Sequence, residues 1–327
     1  MYHVGIVGCG GIAQVHAQVL SSMEDVRLAA CADIRPERAQ ALADKYGMHA
    51  YESLTEMLQN EQLDVVHICT PHYLHAPMAE EIAARGIAIF SEKPPAIDRA
   101  QWAQFCAAAD RVPTGICFQN RYNPNVCELK RMLENKTFGE LRGARAFVTW
   151  NRTVPYYVES GWRGTWATEG GGALINQTIH TLDLLIWLIG KPDVVQGTMS
   201  NRHLKGVIEV EDTVDAWLKM GDVGVIFYGS TAYSTNAPVF MEFHFDNAVV
   251  RLENEGLDIY RGEEVEHHEY PMEAKLGKGY WGNGHRACIR DFYDRLTDGQ
   301  PFQNRPETVD ATVDAMYTLY ENCKAMI

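Results

Sequence analysis

The chain has 327 residues, 46% of them apolar, and its 43 acidic and 29 basic side chains give a formal net charge of -14. That length accommodates two domains of about 100–200 residues each, with enough apolar material for a large core without disulfide staples. The acidic balance excludes a sequence-independent grip on nucleic acid, which needs clustered Lys and Arg, and it argues against docking on an anionic membrane surface.

In the first half, strand-like runs are predicted at residues 2–7, 27–32, 65–69, 87–90 and 112–117. Helical patterns at 11–22, 36–46, 76–85 and 98–110 separate them. Pro36 suits a first helical turn, Gly47 and Gly86 suit helix ends, and Asp98 is a cap. Strands alternating with helices mean βαβ units and a parallel, doubly wound sheet. This α/β domain is placed at residues 1–119.

Residues 120–327 follow another pattern. A helix at 126–133 precedes a strand at 141–150 and a long, glycine-flanked helix at 173–189. Strand patterns then crowd together at 194–203, 213–220, 223–232, 239–245 and 248–253, with short turns such as Gly221-Asp222. Such turns imply antiparallel pairing. Two helices, at 284–296 and 306–325, close an α+β domain with a largely antiparallel open sheet.

None of the eight cysteines forms a C-x-x-C pair, and several lie in apolar runs, as Cys69 does after Val65-Val66-His67-Ile68. They are expected as reduced thiols. No basic stretch followed by an apolar one marks a signal peptide, and no run of 18 apolar residues marks a membrane span. The expected location is the cytoplasm. Glu266-His267-His268-Glu269 is rich in ligand types, but strand neighbours point to opposite faces, so a solvated edge is expected and no metal.

Gly8-Cys9-Gly10-Gly11-Ile12-Ala13 matches G-x-G-x-x-[G/A] between the first strand and the first helix. Glycines let backbone approach a pyrophosphate, and a helix N-terminus offers free N–H groups with positive partial charge. The second strand runs into Asp33, 20 residues after Ala13. A carboxylate there accepts ribose hydroxyls and repels a 2′-phosphate, which favours NAD over NADP. Arg35 and Arg38 nearby are able to receive a phosphate, which softens that preference.

Further stretches complete a pattern: Thr70-Pro71-His72-Tyr73-Leu74-His75 after the third strand, Glu92-Lys93-Pro94 after the fourth, and Gly170-Gly171-Gly172 leading to Asn176, His180 and Asp183. Over nearly its whole length the chain resembles the glucose–fructose oxidoreductase / inositol dehydrogenase / rhizopine catabolism (Gfo/Idh/MocA) family. The resemblance implies an NAD(P)-binding first domain, a second domain that closes over the cofactor, and oxidation or reduction of a ring CHOH of a sugar or cyclitol. It implies that Lys93 and His180 are catalytic, and that Thr70, Pro71, His75 and Glu92 line the nicotinamide–ribose side. It also implies a homodimer or homotetramer, with pairing through the second-domain sheet. Many members carry Asp where this chain has Asn176, and an amide does not titrate. His72 likewise departs from the Asn that often follows the T-P pair.

On their own terms, Ile175, Ile179, Leu182, Ile186 and Ile189 form an apolar stripe at helical spacing. Asn176, His180 and Asp183 recur beside it at i, i+4 and i+7, so they share a face. The helix is apolar nearly all round and is expected to be buried. Buried polar groups need partners or cost roughly 1–3 kcal/mol each. Oxidising an alcohol needs a base, and histidine titrates near neutrality. A lysine close to the same hydroxyl stabilises developing alkoxide charge. Trp150, Tyr156, Tyr157, Trp162 and Trp166, with Arg152 and Arg163, offer flat faces and planar donors that suit a polyhydroxylated ring. Gln119, Asn120, Arg121 and Tyr122 leave the last strand at its carboxyl end, where ligands of such folds bind. The predicted substrate contacts are therefore Lys93, Gln119, Arg121, Tyr122, Trp150, Trp162, Arg163, Asn176 and His180. The expected activity is a sugar or cyclitol dehydrogenase. A redox-neutral enzyme that keeps its NAD while cleaving or epimerising a sugar, and a nucleotide-binding regulator without chemistry, stay open beside it.

Overall fold

The computed structural model describes residues 1–253, 255–270, 284–323 and 327. The chain splits into two compact units, Met1–Gln119 with Leu276–Thr308, and Asn120–Lys275 with Val309–Ile327.

In the first unit, β1 (Tyr2–Val7), α1 (Gly11–Leu20), β2 (Val26–Ala32), α2 (Pro36–Tyr46), β3 (His49–Tyr51), α3 (Leu54–Asn60), β4 (Val65–Ile68), α4 (His75–Ala83), β5 (Ala88–Ser91), α5 (Arg99–Ala109) and β6 (Thr114–Ile116) follow one another. The strands are parallel, in the order β3-β2-β1-β4-β5-β6. Val4, Ile6, Val65, Val66 and Ile89 are fully buried, as strands covered on both faces require. Helix ends follow local chemistry. Asp98 accepts the Gln101 N–H at 2.8 Å, Ser53 accepts the Glu56 N–H at 3.1 Å, and Gly47 ends α2 at φ +70. The strand order reverses at β1, so the carboxyl ends of β1 and β4 form the crevice where such sheets bind ligands.

The second unit holds α6 (Pro124–Glu134), β7 (Leu141–Thr149), α7 (Val154–Val158), a π-helical turn (Ala173–Thr178) running into α8 (Ile179–Ile189), β8 (Val194–Ser200), β9 (Thr213–Met220), β10 (Val223–Ser230), β11 (Phe240–Phe245), β12 (Val249–Glu253), β13 (Gly256–Arg261) and β14 (Glu264–Glu269). Eight strands lie in the order β14-β13-β12-β11-β7-β10-β9-β8. Among the described strands of this sheet, only β7 and β10 pair in parallel. Alternating burial along β9 and β10 shows one covered face. Across the other, the cross-strand partners Trp217 and Ile226 stand exposed.

Two expectations change here. The second half does not stay in one unit. α9 (His285–Asp298) packs with the first, where Arg290 pairs with Asp25 at 2.7 Å and the Ile116 N–H donates to Asn304 O at 2.9 Å. Most of α10 (Pro306–Cys323) belongs to the second unit. The helix expected at 173–189 is π-helical over its first six residues. β14 is the exposed edge strand, with His267 and His268 paired to acidic neighbours. Among the described residues, no helix is long and apolar enough to cross a membrane.

Candidate active site

The glycine loop between β1 and α1 is built around Gly8 and an unfilled space. Gly8 has φ +85, and a Cβ there would lie 2.7 Å from the Cys69 carbonyl, so the loop packs tightly on the end of β4. At Gly10 and Gly11 an added Cβ would meet nothing within 4 Å. Gly10 caps α1 without a side-chain hydrogen bond, and no acidic residue occupies the first turn, where Ile12 sits partly exposed. Asp33 Oδ2 accepts the Cys9 N–H at 2.7 Å and Oδ1 accepts the Arg35 N–H at 2.9 Å. Each oxygen keeps a lone pair for a hydroxyl donor. Ile34 beside it is 84% exposed.

The crevice's other wall is Thr70-Pro71 and the Glu92-Lys93-Pro94 segment. Thr70, Pro71 and Lys93 are partly exposed, whereas His75 and Glu92 are buried. His75 places Nδ1 2.7 Å from Pro94 O and Nε2 2.8 Å from Thr70 O. It pins the two segments together, so its expected place beside the cofactor would be as a buried support of that wall. Burial pushes its pKa down.

Glu92 Oε2 accepts the Lys93 N–H at 3.3 Å, and Oε1 accepts from His16 Nε2 at 2.9 Å. His16 Nδ1 lies 2.8 Å from His67 Nδ1, and His67 Nε2 lies 2.9 Å from the Tyr293 hydroxyl. The contacts are all satisfied with His16 protonated on both nitrogens and His67 neutral, donating to Tyr293. Burial works against the His16 cation, yet Cys69, Cys117 and Glu92 hold its pKa well above the ordinary value. Burial also works against the Glu92 carboxylate, and His16 nonetheless holds it well below the carboxylate range. Burial and the neighbouring His16 charge drive His67 well below. His16, Glu92 and Cys117 bring one donor atom each within 4.8 Å of one another. Sequence spacing hid this triple because three separate segments supply it.

In the second unit the π-helical turn is held from outside. Glu211 accepts the Gly172 and Leu174 N–H groups at 3.0 and 2.8 Å and the Tyr320 hydroxyl at 2.8 Å. The Ile175 N–H donates to the Tyr320 oxygen at 3.1 Å. Glu169 accepts the Gly164 N–H at 2.6 Å and Asn176 Nδ2 at 2.5 Å. Both carboxyls are buried, and burial pushes each up to about 7. His180, on the first turn of α8, is partly exposed where Asn176 and Asp183 are buried. Asp183 takes a bidentate pair from Arg121, at 2.5 and 2.8 Å, and a hydrogen bond from Thr312 at 2.9 Å. Arg121, expected beside the substrate, is thus a buried brace for α8, being 1% exposed. Gln119 is likewise buried and Tyr122 partly exposed.

The aromatic loop joins this turn. Tyr156 OH accepts from Gln177 Nε2 at 2.7 Å, and Gln177 Oε1 accepts from Arg152 at 2.6 Å. The Arg163 guanidinium sits 4.4 Å from the Tyr156 ring centroid and 4.5 Å from that of Trp162. Trp150 is buried and donates to Ala237 O at 3.0 Å, which makes it a wall of the loop.

Residues 2–116 match the model of an oxidoreductase family with an NAD-binding Rossmann fold, and residues 126–251 match the GFO/IDH/MocA C-terminal domain. The chain belongs to the GFO/IDH/MocA family. It is 33% identical over 201 residues to a D-glucoside 3-dehydrogenase of Escherichia coli, covering 58% of this chain and 55% of that one. It is 30% identical over 193 residues to an inositol 2-dehydrogenase of Rhizobium meliloti, covering 58% and 56%. The chain thus spans about half the length of the curated relatives it matches. The WlbA dehydrogenase of Chromobacterium violaceum, solved with NADH and UDP-GlcNAcA, superposes at TM-score 0.85 with 26% identity, over 99% of this chain and 94% of that one.

With the first unit a family Rossmann domain, the open space at Gly10 and Gly11 and the lone pairs of Asp33 fit a dinucleotide's pyrophosphate and ribose. Ile34, next to Asp33, is exposed, a feature the sequence alone did not mark. Glu169, Glu211 and Gln177 are second-unit polar residues that the sequence did not single out. Glu169 directly precedes the glycine triplet, and that adjacency was its only local signal.

Proposed function

We propose that this GFO/IDH/MocA member is an NAD-dependent dehydrogenase acting on a ring CHOH of a sugar, cyclitol or sugar derivative. The named activities of its relatives support that substrate class. The observation that carries the reading is the pair of braced reactive positions. Lys93 follows a buried, charge-paired Glu92, and His180 follows a turn clamped by two buried carboxyls. Enzymes hold reacting groups in such fixed geometry.

A nicotinamide cofactor, which the Gly10–Gly11 turn and Asp33 would hold, would supply the hydride acceptor when bound. His180 takes the hydroxyl proton, and the Lys93 ammonium stabilises charge developing on the oxygen. Tyr156, Trp162 and Arg163 offer stacking faces and donors to the ring, and Asn176 fixes the turn that delivers His180. Asp33 favours NAD, since a 2′-phosphate would meet its carboxylate. The exposed Trp217–Ile226 pair supports a homo-oligomer joined through the second-unit sheet.

The test is NADH absorbance with one equivalent and then excess NAD, across a panel of sugars, cyclitols and sugar acids. Continued absorbance growth with added NAD is expected. His180→Ala and Lys93→Ala should each lower turnover about 10²–10⁴-fold. Wild-type turnover in both folded, NAD-binding variants would sink the assignment.

A further inference from the structure

The family often places aspartate where this chain has Asn176, and the structure sets a carboxyl directly behind that amide. Asn176 Nδ2 donates to Glu169 Oε1 at 2.5 Å and reaches the Tyr156 hydroxyl at 3.5 Å. With both amide hydrogens so directed, Oδ1 is left as the acceptor the residue presents elsewhere. An aspartate would present an acceptor too, but with its charge in place. Here the acceptor is neutral, and the ionisable group stands one hydrogen bond further back.

We infer that Glu169 is a positioning residue for the reaction, acting with Asn176 as one carboxyl–amide unit that sets the π-helical turn leading into His180 on α8. This rests on the dehydrogenase reading above. The geometry supports it from both ends of the carboxyl. Oε1 holds Asn176, and Oε2 holds the Gly164 N–H in the aromatic loop. Glu169 therefore ties the proposed substrate loop to the turn that delivers the base, and it is 1% exposed.

The groups around Glu169 define how it titrates. Burial favours its protonated form. The Gly164 N–H, the Asn176 amide and the Arg163 charge favour the ionised one, and Glu211 opposes it. Tyr156 and Tyr157 face the pair from α7, and Tyr320 from α10. With a midpoint of about 7, the carboxyl changes state where metabolic enzymes work. Ionised, it accepts from both donors. Protonated, its O–H competes with one of them and loosens either the amide or the loop.

The experiment exchanges the two groups in the full-length protein. Glu169→Gln keeps an acceptor for Asn176 but does not titrate. Asn176→Asp sets two carboxyls against each other. The double variant E169Q/N176D restores one carboxyl and one amide in reverse order. Expected for Asn176→Asp is a kcat at least tenfold below wild type, with KM changed far less. The double variant should recover kcat to within about threefold, and Glu169→Gln should flatten the kcat profile between pH 6 and 8. A double variant no better than Asn176→Asp, or a Glu169→Gln profile matching wild type, overturns the proposal.

A second measurement does not depend on turnover. The side-chain amide resonances of Asn176, in uniformly ¹⁵N-labelled protein, should shift with pH around neutrality, and that shift should vanish in Glu169→Gln. A shift that persists in the variant also overturns the pair. If the amide titrates as expected while His180→Ala keeps full turnover, the dehydrogenase mechanism has failed and the pair has not.

Discussion

Each unit puts a buried polar network beneath a residue proposed for catalysis, and the two networks solve the burial problem in opposite ways. Beneath Lys93, a carboxylate meets a cation. Glu92 pairs with His16, and the two pKa values move apart, Glu92 down and His16 up. Beneath His180, the carboxyls meet mostly neutral donors: backbone N–H groups, an amide and a phenol. Burial outweighs these donors, and both move up to about 7. Charge pairing fixes a protonation state across the working pH range. Neutral donors leave a carboxyl poised within it. The first network is suited to a rigid brace, the second to a support whose state changes with pH.

The largest expected effect comes from breaking the charge-paired network. His16→Leu leaves Glu92 buried without its cation, and removing one partner of a buried pair costs about 3–5 kcal/mol. Urea midpoints measured by circular dichroism should show that loss, and adding Glu92→Gln should recover part of it. A cost below about 1 kcal/mol would mean the pair does not hold the Lys93 segment.

The second effect is a slope of stability with pH. Glu169 and Glu211 bind their protons more tightly folded than unfolded, since their values rise from 4.5 to about 7. Their stabilising contribution is whole below about pH 4.5 and drains away as pH climbs to 7, by at most about 3 kcal/mol for each. Glu92 runs the other way: its contribution is present above pH 4.5 and is lost only in acid. The His16 contribution is present below about 6.5 and is lost only as pH rises through a value well above it. The buried His67, His75 and His285, whose pKa values burial pushes down, gain stability as pH rises towards 6.5 and oppose this loss. The melting temperature of wild type measured relative to Glu169→Gln should therefore fall between pH 5 and 7. A difference between wild type and Glu169→Gln that stays flat over this range would erase the contrast between the two networks.

What the sequence disclosed follows from distance along the chain. The glycine loop, Asp33, Glu92-Lys93-Pro94 and the helix bearing Asn176 and His180 were legible because each pattern closes within about 25 residues. The alternation of strand and helix placed the six-stranded sheet, though the short β3 and α3 fell below the length at which periodicity is visible. The π-helical turn was not legible. Its apolar stripe fits a 3.6-residue period, and the groups that clamp it, Glu211 and Tyr320, lie 37 and 145 residues from the N–H groups they hold. The pairing of Arg121 with Asp183 was hidden for the same reason, since the two lie 62 residues apart. His16 passed as an ordinary helix residue, because its partners come from β4 and the end of β5. The return of α9 to the first unit had no signal at all beyond amphipathic spacing.

The smallest effect separates the two glycine-rich turns. In the second unit the missing side chain makes room for the protein itself: a Cβ at Gly172 would fall 2.0 Å from Glu211 O. Gly172→Ala must displace that backbone, at a cost of about 1–3 kcal/mol, and should disturb the turn beneath Asn176. In the first unit the missing side chain leaves space that no protein atom uses, since nothing lies within 4 Å of a Cβ at Gly10. Gly10→Ala should leave stability within about 0.5 kcal/mol of wild type, as other substitutions clear of packed neighbours do. A methyl there would stand where the pyrophosphate is proposed to approach the α1 N-terminus. NADH affinity, read by fluorescence titration, should fall about tenfold, a change of roughly 1.4 kcal/mol. Unchanged affinity in Gly10→Ala would move the phosphates away from this loop, and it would leave the two glycine clusters doing the same structural work.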